Sequence, residues 1–367
     1  MTALSDARLI DARLIYVAPT TGRSGVGDYA DDFAAALRPH VREVIEYRIA
    51  STGSESVADI IGDVRAVRRL VRACARRGPV IAHFEMSCGS VAPFWASALG
   101  ADIVVTATAH DAPQPVWWPF RTALLSRHLL VHHAVHYPSR PLIDALQTRI
   151  TAGRTLFALT GIGAEQMARR YPRAQVHEAR HYIPKRPDVT PLSGRPRAVG
   201  LFGHVYKGKG FDLIGELRAH LDDDVEIVVA GRGTAQIAPM PGVTVLGEVN
   251  GPDEEKFFSS IRALVAPYSK SNSYGTMYSA SGAASRAIAY ATPLVCVPDG
   301  ALTELVDDGV AVASGPEPHA IAAQIRAVID DEARLDALEH AASTLRAARS
   351  IDRAVEPFLD AWADLLS

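Results

Sequence analysis

Ala198-Val199-Gly200-Leu201-Phe202-Gly203-His204-Val205-Tyr206-Lys207-Gly208-Lys209-Gly210-Phe211-Asp212-Leu213-Ile214 is the stretch that decides the fold. A short apolar run ends in glycine, passes through a loop with two lysines, and opens a helical pattern over 211–219. This is the signature of a strand feeding a helix, the unit from which parallel sheets are built. Two cations beside free amides at a helix start make a good anion site. The plainer alternative is a solvated basic loop.

Two further stretches share this logic. The segment Ser279-Ala280-Ser281-Gly282-Ala283-Ala284-Ser285-Arg286-Ala287-Ile288-Ala289-Tyr290-Ala291-Thr292-Pro293 follows Pro267-Tyr268. Here a Ser/Gly-rich loop opens a small-residue helix that must end before Pro293. Amides and a hydroxyl at its start suit a diphosphate. Near the amino terminus, Gly22-Arg23-Ser24-Gly25-Val26-Gly27-Asp28-Tyr29 lies between the first strand and a helix. It matches no full phosphate-loop pattern, so a plain turn stays open beside the anion-site reading.

Outward from these loops the alternation continues. Apolar runs at 14–17, 44–47, 80–84, 103–106, 130–133, 156–158, 198–202, 226–230, 243–246, 263–266 and 294–297 predict strands. Patterns at 27–38, 57–77, 91–99, 139–148, 163–171, 211–219, 253–260, 282–290 and 318–329 predict helices. The strands lack in-and-out alternation, as expected when helices cover both faces. Residues 182–197 hold Pro184, Pro187, Pro191 and Pro196, a linker-like composition. The expectation is an α/β protein of two doubly wound, Rossmann-like domains facing across a cleft. Their bounds are 1–190 and 191–350, and a helix at 351–367 packs back on the first. Ligands bind beyond the carboxyl ends of such strands.

Composition excludes other classes. The chain has 367 residues, 48% apolar and 22% charged, which rules out disorder and disulfide scaffolds. The net charge of −3 divides into +6 for residues 1–190 and −9 for 191–367, a reason to expect different partners for the halves. Cys74, Cys88 and Cys296 form no CxxC pair, which fits a reduced cytoplasm. Asp6, Arg8, Asp11 and Arg13 interrupt any apolar leader at the start. The tandem copies 6–10 and 11–15 are read as an extension followed by the lead into the first strand. Residues 91–109 are broken by Pro93, Gly100 and Asp102 and read as a helix and a strand, not a membrane span.

The order and spacing of these motifs resemble the GT-B glycosyltransferases of the large retaining family 4. Gly203, Lys209-Gly210, Val229-Ala230-Gly231, Ala266-Pro267-Tyr268, Ala287-Ile288-Ala289 and Pro293 fall into that family's register. So does the segment Leu302-Thr303-Glu304-Leu305-Val306-Asp307-Asp308-Gly309. Gly25-Val26-Gly27-Asp28-Tyr29, the strand ending in His110-Asp111, and Ile183-Pro184 resemble segments of its first half. The register also shows departures. Tyr278 and Arg286 stand where the family has two glutamates, His204 where it has a loop arginine, and Ala291 where it has a helix glycine.

The resemblance implies a nucleotide-diphosphate sugar as donor substrate and no cofactor or metal. It places the donor on Gly25, Gly27, Gly203, His204, Gly210, Gly231, Arg232, Val249, Tyr278, Ser279, Ser281, Gly282, Arg286 and Glu304. Lys209 and His110 are the catalytic candidates: Lys209 stabilises the leaving diphosphate, and His110 meets the transferred sugar. For His110 a structural bond to a backbone carbonyl is the alternative. Arg286, turned inward, would add a phosphate contact. Glu85, Asp111 and Trp117 are candidates for the acceptor side, with a buried paired carboxylate the alternative for Glu85; the Trp117-Trp118-Pro119-Phe120 loop is read as an acceptor or membrane loop or as packed core. His132, His133 and His136 are read as structural. Asp222-Asp223-Asp224 is read as a solvated turn, not a metal motif.

Arg65, Arg68, Arg69, Arg72 and Arg76 line one predicted helix, 57–77. It is read as a solvated face or as a contact to an anionic acceptor or the inner face of a membrane. The acceptor itself, whether cell-envelope glycan, glycolipid or small natural product, is left open, and no nucleic acid is expected. The alternative function, resting on Tyr278 and Arg286, is a binding or partner subunit that has lost activity.

Overall fold

The computed structural model describes residues 7–22, 24–50, 53, 55–127, 129–206, 208–268 and 276–367, with the side chains of 7 and 129–133 excepted. The chain divides into two compact units. The first comprises Met1–His181, Met277–Ala280 and Ile351–Ser367. The second comprises Tyr182–Thr276 and Ser281–Ser350.

Each unit carries one six-stranded parallel sheet. In the first, β1 (Arg13–Pro19), β2 (Glu43–Ile49), β3 (Val80–Met86), β4 (Val104–Ala109), β5 (Thr155–Ala158) and β6 (Gln175–Glu178) lie in the order β2-β1-β3-β4-β5-β6. In the second, β7 (Ala198–Phe202), β8 (Glu226–Ala230), β9 (Val243–Gly247), β10 (Ala263–Ala266), β11 (Leu294–Cys296) and β12 (Ala311–Ala313) lie in the order β12-β11-β10-β7-β8-β9. Strand order reverses between β1 and β3 in one sheet and between β7 and β10 in the other. Such reversal points are where doubly wound sheets open a crevice for ligands. The loops bearing Gly25, Gly203 and Pro267-Tyr268 all leave strands that flank these points.

Both faces of each sheet are covered, which is why the strands read as continuous apolar runs. In the second unit Phe202, Phe257, Phe258 and Ile288 pack on one side, and Leu201, Ile227, Ile325 and Leu335 on the other. In the first unit the closing helix Glu356–Leu365 buries Phe358 and Trp362 among Phe33, His83 and Phe157. Trp362 Nε1–H donates to Thr106 Oγ1 at 3.0 Å.

Two expectations are corrected. Residues 130–133 are not a strand but lie in the helix Leu129–Thr151. Among its described side chains His136, Ile143, Gln147 and Thr151 are the buried positions, a helical spacing that the local run of apolar residues and histidines obscured. The change of unit falls between His181 and Tyr182, not after 190, because the proline-rich segment packs on the second unit. There Ile183 N–H donates to Arg349 O at 2.8 Å, and Leu192 is buried. Arg195 ties the same segment down through Thr190 O, Ile261 O, Tyr290 O and Thr292 Oγ1. The first of the tandem copies includes the short helix Ala7–Ile10, where Leu9 is buried, and the second leads into β1.

The arginine-lined segment is the helix Val57–Ala75, opened by a reciprocal cap between Ser56 and Asp59. Ile60, Val67, Val71 and Cys74 face the core. Arg65, Arg69, Arg72 and Arg76 are exposed, whereas Arg68 donates to the carbonyls of Trp95 (2.7 Å) and Ala98 (3.0 Å) that end the next helix. No helix among the described residues is long and apolar enough to cross a membrane.

Candidate functional site

In the second unit, two loops close on each other beyond the strand ends. Gly203 N–H donates to Ala230 O and Val205 N–H to Arg232 O, each at 3.0 Å. Gly231 has φ +130°, and a Cβ there would stand 2.0 Å from Gly203 O. Both the conformation and the approach require glycine. Gly231→Ala should therefore lower unfolding free energy by about 2–3 kcal/mol in urea denaturation, from left-handed strain plus a backbone clash. An unchanged midpoint would show that the two loops separate without cost.

Gly210 lies against Pro267, bringing the lysine loop to the end of β10. The Lys209 ammonium sits 3.7 Å from the centre of the Tyr268 ring and 5.5 Å from that of Tyr206. Burial opposes its charge, but Tyr268 and Tyr206 favour it more, and its pKa is raised. Among the described residues no carboxylate pairs with it. Tyr268 Oη lies 3.2 Å from Ser281 Oγ, and Ser281 caps the helix Gly282–Ala289 by accepting from Ala284 N–H at 3.2 Å. The Ala283 side chain stands next to Gly203. A half-buried cation, a glycine turn and a helix start thus converge within one unit. The amides of Gly282 and Ala283 occupy the first turn, where no helix carbonyl can reach them. This arrangement can hold a doubly charged anion.

The other donor-side candidates have varied surroundings. Arg286 does not turn toward that place. Its Nη1 donates to the buried Glu254 at 2.8 Å, with its guanidinium 5.6 Å from the centre of the Phe202 ring. Glu254 also meets Arg186 (3.3 Å) and Tyr290 Oη (3.2 Å). A carboxylate far away in sequence has neutralised the charge expected for phosphate. Arg232 pairs with Glu248 at 2.8 Å; that hydrogen bond is the main reason the Glu248 pKa is lowered, with exposed His204 contributing. Val249 is buried just after β9, and Glu304 is half-buried in the first turn of the helix Ala301–Asp307. Lys207 lies outside the described residues. Asp222, Asp223 and Asp224 pair with Arg197 and Arg218 at the surface, and no cluster of three metal-ligating side chains occurs among the described residues.

Tyr278 and Ser279, expected beside Ser281 on the donor side, belong to the first unit. Tyr278 N–H donates to Ala112 O (2.8 Å), Thr160 Oγ1 to Tyr278 O (2.9 Å), and Ser279 Oγ to Asp111 Oδ1 (2.7 Å). The polar backbone of this extended segment finds its partners there, which sequence adjacency does not reveal. Asp111 accepts from Cys88 N–H as well, so its carboxylate ties loops together. The aromatic loop divides its roles: Trp118 is buried, Phe120 is exposed, and Trp117 is half-buried with its backbone N–H donating to Cys88 O at 3.1 Å.

Gly25 and Gly27 open the helix Gly25–Leu37, capped by Ser24, which accepts from Gly27 N–H. A Cβ at Gly27 would stand 2.3 Å from Thr20 O, so the helix start touches the end of β1. Tyr29 on this helix sets its ring edge-to-face with His110, with centroids 5.0 Å apart. His110 directly follows β4 with only 9% of its surface exposed, its Nε2 2.7 Å from Glu85 Oε2. Glu85 is wholly buried on β3, so the acceptor-side assignment gives way to the paired-carboxylate alternative. Its other oxygen accepts from Tyr16 Oη–H at 2.7 Å and lies 3.3 Å from His83 Nε2. Burial pushes its pKa up, but hydrogen bonds from His110 and His83 outweigh this and bring it down to about 2. His136 packs edge-to-face on Trp118; the side chains of His132 and His133 lie outside the described residues.

Sequence reading missed Tyr16 and Glu254, which stand in no local motif. Their roles come from partners far along the chain.

Residues 196–331 match the family model described as glycosyl transferases group 1. The chain carries a glycosyltransferase domain. No curated protein sequence matches the chain. Among solved structures, the chain resembles Anabaena HepE in complex with UDP and glucose, with 12% identity, a TM-score of 0.65, and coverage of 96% of this chain and 99% of that one. It also resembles AviGT4, a glycosyltransferase involved in avilamycin A biosynthesis (13%, 0.58, 96% and 98%). A third is an E. coli structure described as trehalose-6-phosphate bound with UDP-2-fluoro glucose (9%, 0.63, 96% and 99%). These likenesses show the fold, GT-B, with its two Rossmann-like domains.

Proposed function

We propose that this protein is a retaining, metal-independent glycosyltransferase of family 4, taking its sugar from a nucleotide-diphosphate donor. The observation that carries the reading is Lys209, held over Tyr268 beside the start of the helix Gly282–Ala289 and free of any carboxylate among the described residues. Charge builds on the departing diphosphate as the glycosidic bond breaks. A fixed cation and fixed amides stabilise that charge without reorganising. The match of residues 196–331 to group 1 glycosyltransferases supports the assignment, and HepE, a structural likeness, is described with UDP and glucose. Retention rests on the resemblance to family 4. The acceptor is a cell-envelope glycan, a glycolipid or a small natural product. The exposed arginines of Val57–Ala75, with Val57 and Ile61 exposed beside them, support an anionic acceptor or membrane surface as a partner of the first unit.

A melting-temperature panel of UDP-, GDP-, ADP- and dTDP-sugars, followed by turnover assays on each stabilising donor, tests this. One donor is expected to raise the melting temperature and to release its nucleoside diphosphate. Stabilisation without turnover would instead favour the partner-subunit alternative, and no stabilisation by any donor would remove the reading.

A further inference from the structure

The first unit holds a buried polar chain whose arrangement sets the chemistry of one ring atom. Glu85 has one oxygen toward Tyr16 and His83, while the other faces His110 Nε2 at 2.7 Å. His83 is shared with two hydroxyls: its Nδ1 lies 2.8 Å from Thr106 Oγ1 and its Nε2 3.0 Å from Thr108 Oγ1. Asp111, the neighbour of His110 in sequence, directs its carboxylate to Cys88 N–H and Ser279 Oγ. Glu85 is thus the carboxylate that faces His110, and Tyr29 is the ring that packs against it. His110 Nδ1 carries no hydrogen bond among the described residues.

We propose that Glu85 is a positioning residue that holds His110 with its proton on Nε2 and leaves Nδ1 as a hydrogen-bond acceptor for a substrate hydroxyl. A carboxylate is an acceptor only, so the atom facing it must carry the hydrogen. A neutral imidazole then has its lone pair on the opposite nitrogen. Tyr16 contributes by donating to the far oxygen of Glu85, which fixes the carboxylate plane. The substrate role of Nδ1 rests on the glycosyltransferase reading, whereas the protonation pattern does not.

The first test needs no substrate. Long-range proton–nitrogen NMR on the full-length protein labelled at histidine nitrogens is expected to show neutral His110 as the Nε2–H form. In Glu85→Gln the side-chain amide donates to Nε2 instead, and the proton is expected on Nδ1. Should Glu85→Gln fail to fold, Tyr16→Phe serves, with His110 expected to keep the Nε2–H form. An Nδ1–H form in the wild type overturns the proposal. The second test is a double-mutant cycle with the donor found by the panel, UDP-glucose first. Glu85→Gln is expected to lower kcat about 10- to 100-fold with a smaller change in KM. In a His110→Ala background it is expected to change kcat no further. Additive losses would show that Glu85 serves the fold alone and overturn the positioning role. Absence of turnover by the wild type would sink the glycosyltransferase reading, while the NMR result would still decide the protonation of His110.

Discussion

Lys209→Ala is expected to lower kcat/KM for the sugar-nucleotide donor by about 10²- to 10³-fold, the usual cost of deleting one fixed donor aimed at developing charge. The loss should fall mainly on kcat, because charge on the leaving diphosphate grows between ground state and transition state. The fold should survive the change. The Lys209 ammonium touches the rings of Tyr268 and Tyr206, and among the described residues it neutralises no carboxylate whose burial would then go uncompensated. Lys209→Arg is expected to recover part of the activity, since it keeps the charge but alters its shape. Steady-state release of nucleoside diphosphate is the measurement. Kinetics like those of the wild type would take Lys209 out of the site and with it the main support for the proposed function.

Trp362→Ala should be the most destabilising of the single changes considered, costing about 3–5 kcal/mol. The ring is fully buried, with centroids 5.4 Å from His83 and 5.9 Å from Phe358, and its N–H is the donor to Thr106 Oγ1. Removing it opens a cavity and leaves Thr106 with His83 as its remaining partner. Trp362→Phe should restore most of the packing and isolate the hydrogen bond, about 1 kcal/mol. Thermal unfolding followed by tryptophan fluorescence reads both. A loss under about 1 kcal/mol for the alanine variant would mean that the closing helix merely rests on the first unit.

Strands buried on both faces were the most legible parts of the chain. The runs at 198–202, 226–230 and 263–266 coincide with β7, β8 and β10, because an apolar segment flanked by turn residues has no other place to go. Of the four edge strands, β2 and β9 were read at 44–47 and 243–246, whereas β6 and β12 were not. Gln175–Glu178 is exposed at both ends and carries no apolar run, so pairing with β5 alone makes it a strand. Ala291 shows a middle case. Read as standing where the resembled family has glycine, it adopts φ +50°, so the backbone keeps a turn that this side chain disfavours.

The candidate site divides in the same way. Spacing alone predicts that Gly203, Lys209 and Ser281 lie near strand ends and a helix start, because each belongs to a local strand–loop–helix unit. Which charges remain available is not a local property. Arg286 and Arg232 were donor-side candidates and Arg68 was one of a row of helix arginines, yet Glu254, Glu248 and two helix-end carbonyls take them up. Glu85 was read as an acceptor-side group or a buried paired carboxylate, and only the fold shows that its partner is His110.

The sequence by itself determined most of the βα order, the two parallel sheets, the glycine loops and the uneven charge of the two halves. Those follow from periodicity and turn chemistry, which act over a few residues. The tertiary structure alone decided that Met277–Ala280 joins the first unit, that Glu85 meets His110, and that Lys209 keeps its charge unpaired by carboxylate among the described residues. Ion pairs and buried hydrogen bonds form between groups far apart along the chain, and only folding brings such groups within about 3 Å of each other.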